Sequence, residues 1–378
     1  MAAAAILAEL PPVTALTLVR TDDGLTAAEA LVAQHRYAEA RAALEDLWGD
    51  VRHDGALALR QRLALGWVEL YSGELVQAER LFAQADAIAQ SPHFDAADRA
   101  EVAYRQGCVA LKQSRVSDAT ALLTRALETN ERSTRPRAGL AARAHEWRSR
   151  CHLLQRDWDA AQRDVERSLE LATAADDVEA QANALFQASI VSERASQWLT
   201  ARCYGEQALD LYHRLDNPLS IARVLNNLGG ISFLLGDVET AERMLLEALE
   251  AAAGVASDAD LAQAVNSLAQ VYLRTDRPAE ARARALRAVE LLEGRADYVD
   301  ELGNALLVVA QSLQAEGEPA QAAGWLDRAE DAYTRLGSTS HLASVWVARG
   351  DLSRSQGDVE IAADHYRRAA TALQDVHF

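Results

Sequence analysis

An alanine returns at nearly fixed intervals along this chain, at positions 40, 78, 119, 161, 201, 241, 281, 322 and 362. The intervals are 38, 41, 42, 40, 40, 40, 41 and 40 residues. Self-similarity at a period of 20–50 residues is the mark of a repeat architecture, and it constrains the fold more than any other feature here. Three segments show what recurs: GELVQAERLFAQADAIA from Gly73, GDVETAERMLLEALEAA from Gly236 and GDVEIAADHYRRAATAL from Gly357. In each, a glycine and an acid are followed by the alanine, five residues after the glycine. A large residue comes four later (Phe82, Leu245, Tyr366) and a second alanine three beyond that (Ala85, Ala248, Ala369). Twelve residues before the anchor alanine sits a small residue, as at Gly66, Gly229 and Gly350.

Each unit therefore reads as helix, tight turn, helix. The small residues let the two helices of a hairpin approach closely, and the large residue is expected to fill the gap against the next hairpin. Gly73, Gly236, Gly317 and Gly357 stand where the first helix must stop, and glycine accepts the left-handed geometry of that stop. Pro278 and Pro319 share the position just after it, where a missing N–H costs nothing. Pro92, Pro136 and Pro218 fall between repeats, where helices break. Glycine and proline together number 26 of 378 residues, below average usage, which agrees with a helix-rich chain. A lone hairpin cannot bury its apolar face, so neighbours must stack on one another.

The small–small–large–small pattern over residues 24–376 resembles the tetratricopeptide repeat family. Its usual period is 34 residues. The longer period here is similar to the branch containing kinesin light chain, the Leu-Gly-Asn repeat scaffolds and the sensor regions of maltose-activator-like bacterial regulators. Gly205, at a position that elsewhere carries a large residue, departs from the pattern. The resemblance implies an all-α solenoid, a right-handed superhelix of about nine helix-turn-helix repeats. Residues 24–378 would form one continuous array behind an N-terminal extension or partial cap at 1–23. It also implies a concave groove lined by the first helix of each pair. Such a groove serves a non-catalytic scaffold or adaptor that binds protein or peptide partners. The alternative is a regulatory module of a bacterial signalling or transcription system, sensing a ligand or signal peptide.

Candidate groove residues are the polar side chains of the first helices. Asparagine is a mediocre helix former, so Asn183, Asn226, Asn227, Asn266 and Asn304 ask for a reason to be there. A primary amide both donates to and accepts from the backbone of a bound peptide. Gln187 occupies the register of Asn227, two residues before the small residue. Arg194, Arg274 and Arg354 lie near first-helix ends; Arg194 and Arg274 share one register position and would pair with acidic side chains or a carboxylate. Between 131 and 150 the charge reverses locally. There Arg132, Arg135, Arg137, Arg143, Arg148 and Arg150 face two glutamates, a patch suited to an anionic partner unless neighbouring acids neutralise it. Trp67 and Trp147 lie on first helices, within reach of the groove.

Other classes are disfavoured. The formal charge of −18 makes direct nucleic-acid binding improbable, since phosphates need cations. His145 and His152 lie two helical turns apart, about 10 Å, too far to share one ion easily. Walker A, GxGxxG, GxSxG and HExxH signatures do not occur, so neither catalysis, a metal nor a cofactor is expected. Cys108, Cys151 and Cys203 have no metal or redox spacing and read as small packing residues in a reducing compartment. The apolar N-terminus lacks a basic leader and is interrupted by Glu9, Pro11 and Pro12, so the expected location is cytoplasmic and away from membranes. Leu373, Val376 and Phe378 are expected to leave an apolar C-terminal edge suited to a homodimer or a further partner, or else a frayed terminus.

Overall fold

The computed structural model describes residues 15–374 apart from 35, 255–257 and 296–297. The N-terminal segment before Ala15, Val376 and Phe378 lie outside the described residues. Eighteen α-helices and no strand occur among those described. In order they are α1 (Ala15–Ala33), α2 (Tyr37–Val51), α3 (Gly55–Tyr71), α4 (Leu75–Ala89), α5 (Ala96–Lys112) and α6 (Val116–Glu131). Then follow α7 (Ala138–Leu154), α8 (Trp158–Ala174), α9 (Val178–Arg194), α10 (Trp198–Arg214), α11 (Pro218–Leu234) and α12 (Val238–Gly254). The last six are α13 (Asp258–Arg274), α14 (Pro278–Leu292), α15 (Val299–Ala315), α16 (Pro319–Leu336), α17 (Thr339–Ser355) and α18 (Val359–Gln374). The boundary expected at 23/24 falls inside α1, which is one unbroken helix.

Every anchor alanine is the fourth residue of an even-numbered helix, and all nine are buried. The helices gather into two compact units, divided between Val191 and Ser192. In the first, α1/α2, α3/α4, α5/α6 and α7/α8 are packed hairpins; in the second, α11/α12, α13/α14, α15/α16 and α17/α18 are. Consecutive first helices also touch: α1 with α3, α3 with α5, α5 with α7, then α11 with α13, α13 with α15 and α15 with α17.

The hairpin contact is a small residue receiving a large one sixteen residues later. A Cβ built on Gly66 would lie 2.5 Å from the Phe82 ring, and one on Gly229 would lie 2.6 Å from Leu245 Cγ. Gly107 meets Leu123 at 2.7 Å, and Gly350 stands in the same relation to Tyr366. The large residue thus seats on its own hairpin. Leu245 and Phe82 also join clusters that continue into the following first helices, so they fill both gaps.

The turns repeat one hydrogen-bond pattern. Asp237 N–H donates to Ser232 O at 2.9 Å and Gly236 N–H to Phe233 O at 3.0 Å, satisfying carbonyls at the helix end. Gly73, Gly236, Gly317 and Gly357 adopt positive φ there. Ser114, Arg156, Ser196 and Asp276 hold the same left-handed position in other hairpins at φ near 60°, so the turn geometry, not glycine, is invariant. Pro218, Pro278 and Pro319 each open a helix at its first residue.

Candidate functional site

Positions on the first helices are counted below from the small residue of each hairpin, as position 0. In the first unit the inner face of these helices is filled by rings and ion pairs. Trp67 of α3, at +1, lies 6.1 Å from the Tyr104 ring of α5, at −3, and 6.1 Å from the Trp147 ring of α7, at −2. Tyr71 stacks on Tyr37 at 5.6 Å and meets Trp67 edge-on at 5.1 Å. The Arg105 guanidinium lies 4.0 Å over Trp67 and that of Arg150 lies 4.9 Å over Trp147. Each is anchored one turn back, Arg105 to Glu101 at 2.8 Å and Arg150 to Glu146 at 2.6 Å.

These carboxylates respond differently. Burial pushes both up. For Glu101 the attraction of Arg105, Arg143 and Arg137 outweighs burial and holds it below the usual range. For Glu146, Arg150 offsets burial only in part, and the carboxyl stays above that range. These ring and ion-pair contacts occupy the facing surfaces of α3, α5 and α7. Sequence reading placed Trp67 and Trp147 within reach of a groove, but their meeting across α5 joins residues eighty apart and has no local signal.

Most of the arginine patch is engaged. Arg137 pairs with Asp98, Arg143 lies 3.5 Å from Asp177, Arg148 binds both oxygens of Asp164 at 2.7 and 2.8 Å, and Arg132 lies 3.7 Å from Glu128. Arg135 is the one of the six without a carboxylate within 4 Å among the described residues. His145 Nδ1 lies 2.7 Å from Asp164 Oδ1, and His152 Nε2 lies 3.5 Å from Oδ2. The two histidines, with Arg148 between them on one stripe of α7, thus converge on one carboxylate of α8. Burial pushes Asp164 up, but hydrogen bonds from Arg148 and His145 prevail and hold it below its ordinary value. No group of three or more potential metal ligands is present among the described residues.

The asparagine candidates divide between the units. Asn183 and Gln187 belong to α9 in the first; Gln187 is buried, and its Nε2 has no hydrogen-bond partner. In the second unit Asn304 is occupied within its hairpin, accepting a 2.8 Å hydrogen bond from the Tyr333 hydroxyl. Asn227 donates to Glu193 Oε2 at 3.3 Å. Asn226 and Asn266 differ from these. Both stand at −3, on the touching helices α11 and α13, and the Oδ1 atom of each is buried without a hydrogen-bond partner. Asn266 is only 6% exposed. Arg274 and Arg194 are exposed, and Arg354 makes an i,i+3 pair with Asp351 at 3.3 Å.

The comparisons with known proteins agree with this geometry. Residues 104–197 and 220–294 each match a tetratricopeptide repeat family model. No curated protein sequence matches the chain. Among solved structures, a Rap protein complexed with competence and sporulation factor superposes with a TM-score of 0.68 at 16% identity, covering 94% of this chain and 98% of that one. The apo quorum sensor NprR from B. thuringiensis gives 0.67 at 15% identity, covering 93% and 98%. The Rap conjugation gene regulator of plasmid pLS20, complexed with the Phr* peptide, gives 0.60 at 16% identity, covering 78% and 79%. At such identities the likeness is one of fold. No described helix is long and apolar enough to cross a membrane. Residues 104–197 and 220–294 are tetratricopeptide repeats, set in an array of hairpins of the same kind.

Proposed function

We propose that this chain is a non-catalytic, peptide-binding regulator that holds an extended segment along the first helices of its second unit. One observation carries the reading: Asn226 Oδ1 and Asn266 Oδ1 are buried acceptors, unsatisfied, at the same register on neighbouring helices. A buried polar atom without a partner is costly, and a pair in register implies a common missing donor. Packed helices lie about 8–10 Å apart, close to the span of three residues of extended chain at about 3.3 Å each. Backbone N–H groups of one extended peptide therefore have the spacing to meet both acceptors once the two amides turn outward. The similar folds of NprR and of the pLS20 regulator bound to Phr* peptide support a peptide as the occupant. The filled inner face of the first unit favours the second as the place it binds.

The test is affinity capture from a native extract with wild type and the double variant Asn226→Ala/Asn266→Ala, read by mass spectrometry. At about 1 kcal/mol per hydrogen bond, the variant should hold the captured peptide or protein segment about 30-fold more weakly. Equal retention by both would sink this reading.

A further inference from the structure

Gly229 and Gly230 sit side by side in the middle of α11, yet only one has a packing reason. A Cβ on Gly229 would strike Leu245, whereas one on Gly230 meets nothing within 4 Å. A glycine inside a helix is destabilising relative to alanine, and Gly230 is set apart from the other open glycines inside helices, Gly49 and Gly324, by lying on a first helix beside an unsatisfied asparagine. Gly230 stands at +1. In the first unit this position points inward, because Trp67 at +1 touches Tyr104 at −3 and Trp147 at −2. The register carries over to α11, since Gly229 receives Leu245 as Gly66 receives Phe82. Gly230 therefore lies on the same side of α11 as Asn226, one turn along. Other +1 positions carry larger side chains, among them Arg150, Gln270, Gln311 and Asp351. One turn further on, Leu234 is 45% exposed.

We propose that Gly230 is a contact notch at which the bound peptide lies directly against the backbone of α11. There the peptide's main chain comes within reach of Asn226, and the side chain beside the notch rests on Leu234. This deepens the peptide-binding reading and rests on it. The missing Cβ serves close approach, as glycine does wherever another chain must come near. A second sign of a ligand, separate from the open space at Gly230, is Asn266, buried with an unpaired acceptor on the adjoining helix.

The experiment uses the full chain as wild type, Gly230→Ala, Gly230→Leu and Gly324→Ala. Gly324 is the control, an exposed glycine of α16 whose Cβ also meets nothing. Thermal unfolding is measured first. The variants at 230 and 324 should all keep or raise the midpoint, the alanines by about 1–3 °C. Each protein is then incubated with a library of N-acetylated, C-amidated octapeptides, and retained peptides are quantified. Wild type and Gly324→Ala should retain the same peptides, Gly230→Ala should retain them several-fold less, and Gly230→Leu at least tenfold less. A lowered midpoint in Gly230→Ala would overturn the notch on stability alone, leaving the peptide reading intact. Wild-type retention in Gly230→Leu would do the same. Failure of wild type to retain any peptide would overturn the peptide reading itself, and the notch with it.

Discussion

Gly229 is held small by Leu245, whose Cγ would lie 2.6 Å from an added methyl carbon, with Ala241 O at 3.3 Å behind it. Gly229→Ala must therefore push the two helices of its hairpin apart, at a cost of about 1–3 kcal/mol. Urea denaturation should show the fall, and Gly107→Ala, facing Leu123 at 2.7 Å, should behave alike. These pairs were legible beforehand, because a small residue and a large one recur sixteen residues apart. The unsatisfied acceptors of Asn226 and Asn266 were legible only as residue types at unusual places. Sequence grouped them with Asn304, whose amide the Tyr333 hydroxyl already engages. Which amide is occupied depends on the far side of the hairpin, about thirty residues on.

The α7/α8 hairpin shows how an element adds what residues alone conceal. Two histidines seven apart read as too distant to share one ion easily. A buried carboxylate with two oxygens reaches both, with Arg148 bridging the gap. Because Asp164 titrates below its unfolded value in the fold, the native state binds fewer protons than the unfolded chain as acid is added. Its contribution is present above about pH 4 and is lost as pH falls through its folded pKa. Asp164→Asn should lose about 3 kcal/mol at pH 7 by leaving Arg148 unpaired, and its stability should fall less steeply below pH 4 than that of wild type. Denaturant titrations at several pH values test both parts. The connection from α6 to α7 depends on Asn130, whose side chain accepts from Arg137 N–H at 2.9 Å and donates to Arg137 O at 3.2 Å. Asn130→Ala should loosen this arginine-rich loop, and limited trypsin digestion should then cleave after Arg132 and Arg137 faster than in wild type, Arg135 being protected by Pro136 in both.

Within each unit the helices differ in how deeply they lie. Residues Ala305–Ala310 of α15 are all buried, as are Ala100–Tyr104 and Gly107–Ala110 of α5, because neighbours cover most of the surface of these helices. Hydrogen exchange should be slowest in α5 within the first unit and in α15 within the second. It should be fastest in the last turn of α18, where Leu373 is exposed. Faster exchange in α5 than in α4 would contradict this burial order. The repeat number and the hairpin register could be read from spacing alone, since small residues, caps and prolines each have a local physical cause. The aromatic face of the first unit could not, because it joins three successive hairpins. One consequence of the shared register reaches past this molecule. The joints between hairpins are built from the same few small and large residues, while a position such as Gly230 meets no neighbouring side chain. Such a chain can be rewritten like type in a fixed frame: the letters facing the ligand change, or a whole line is inserted, and the spacing of the others is kept.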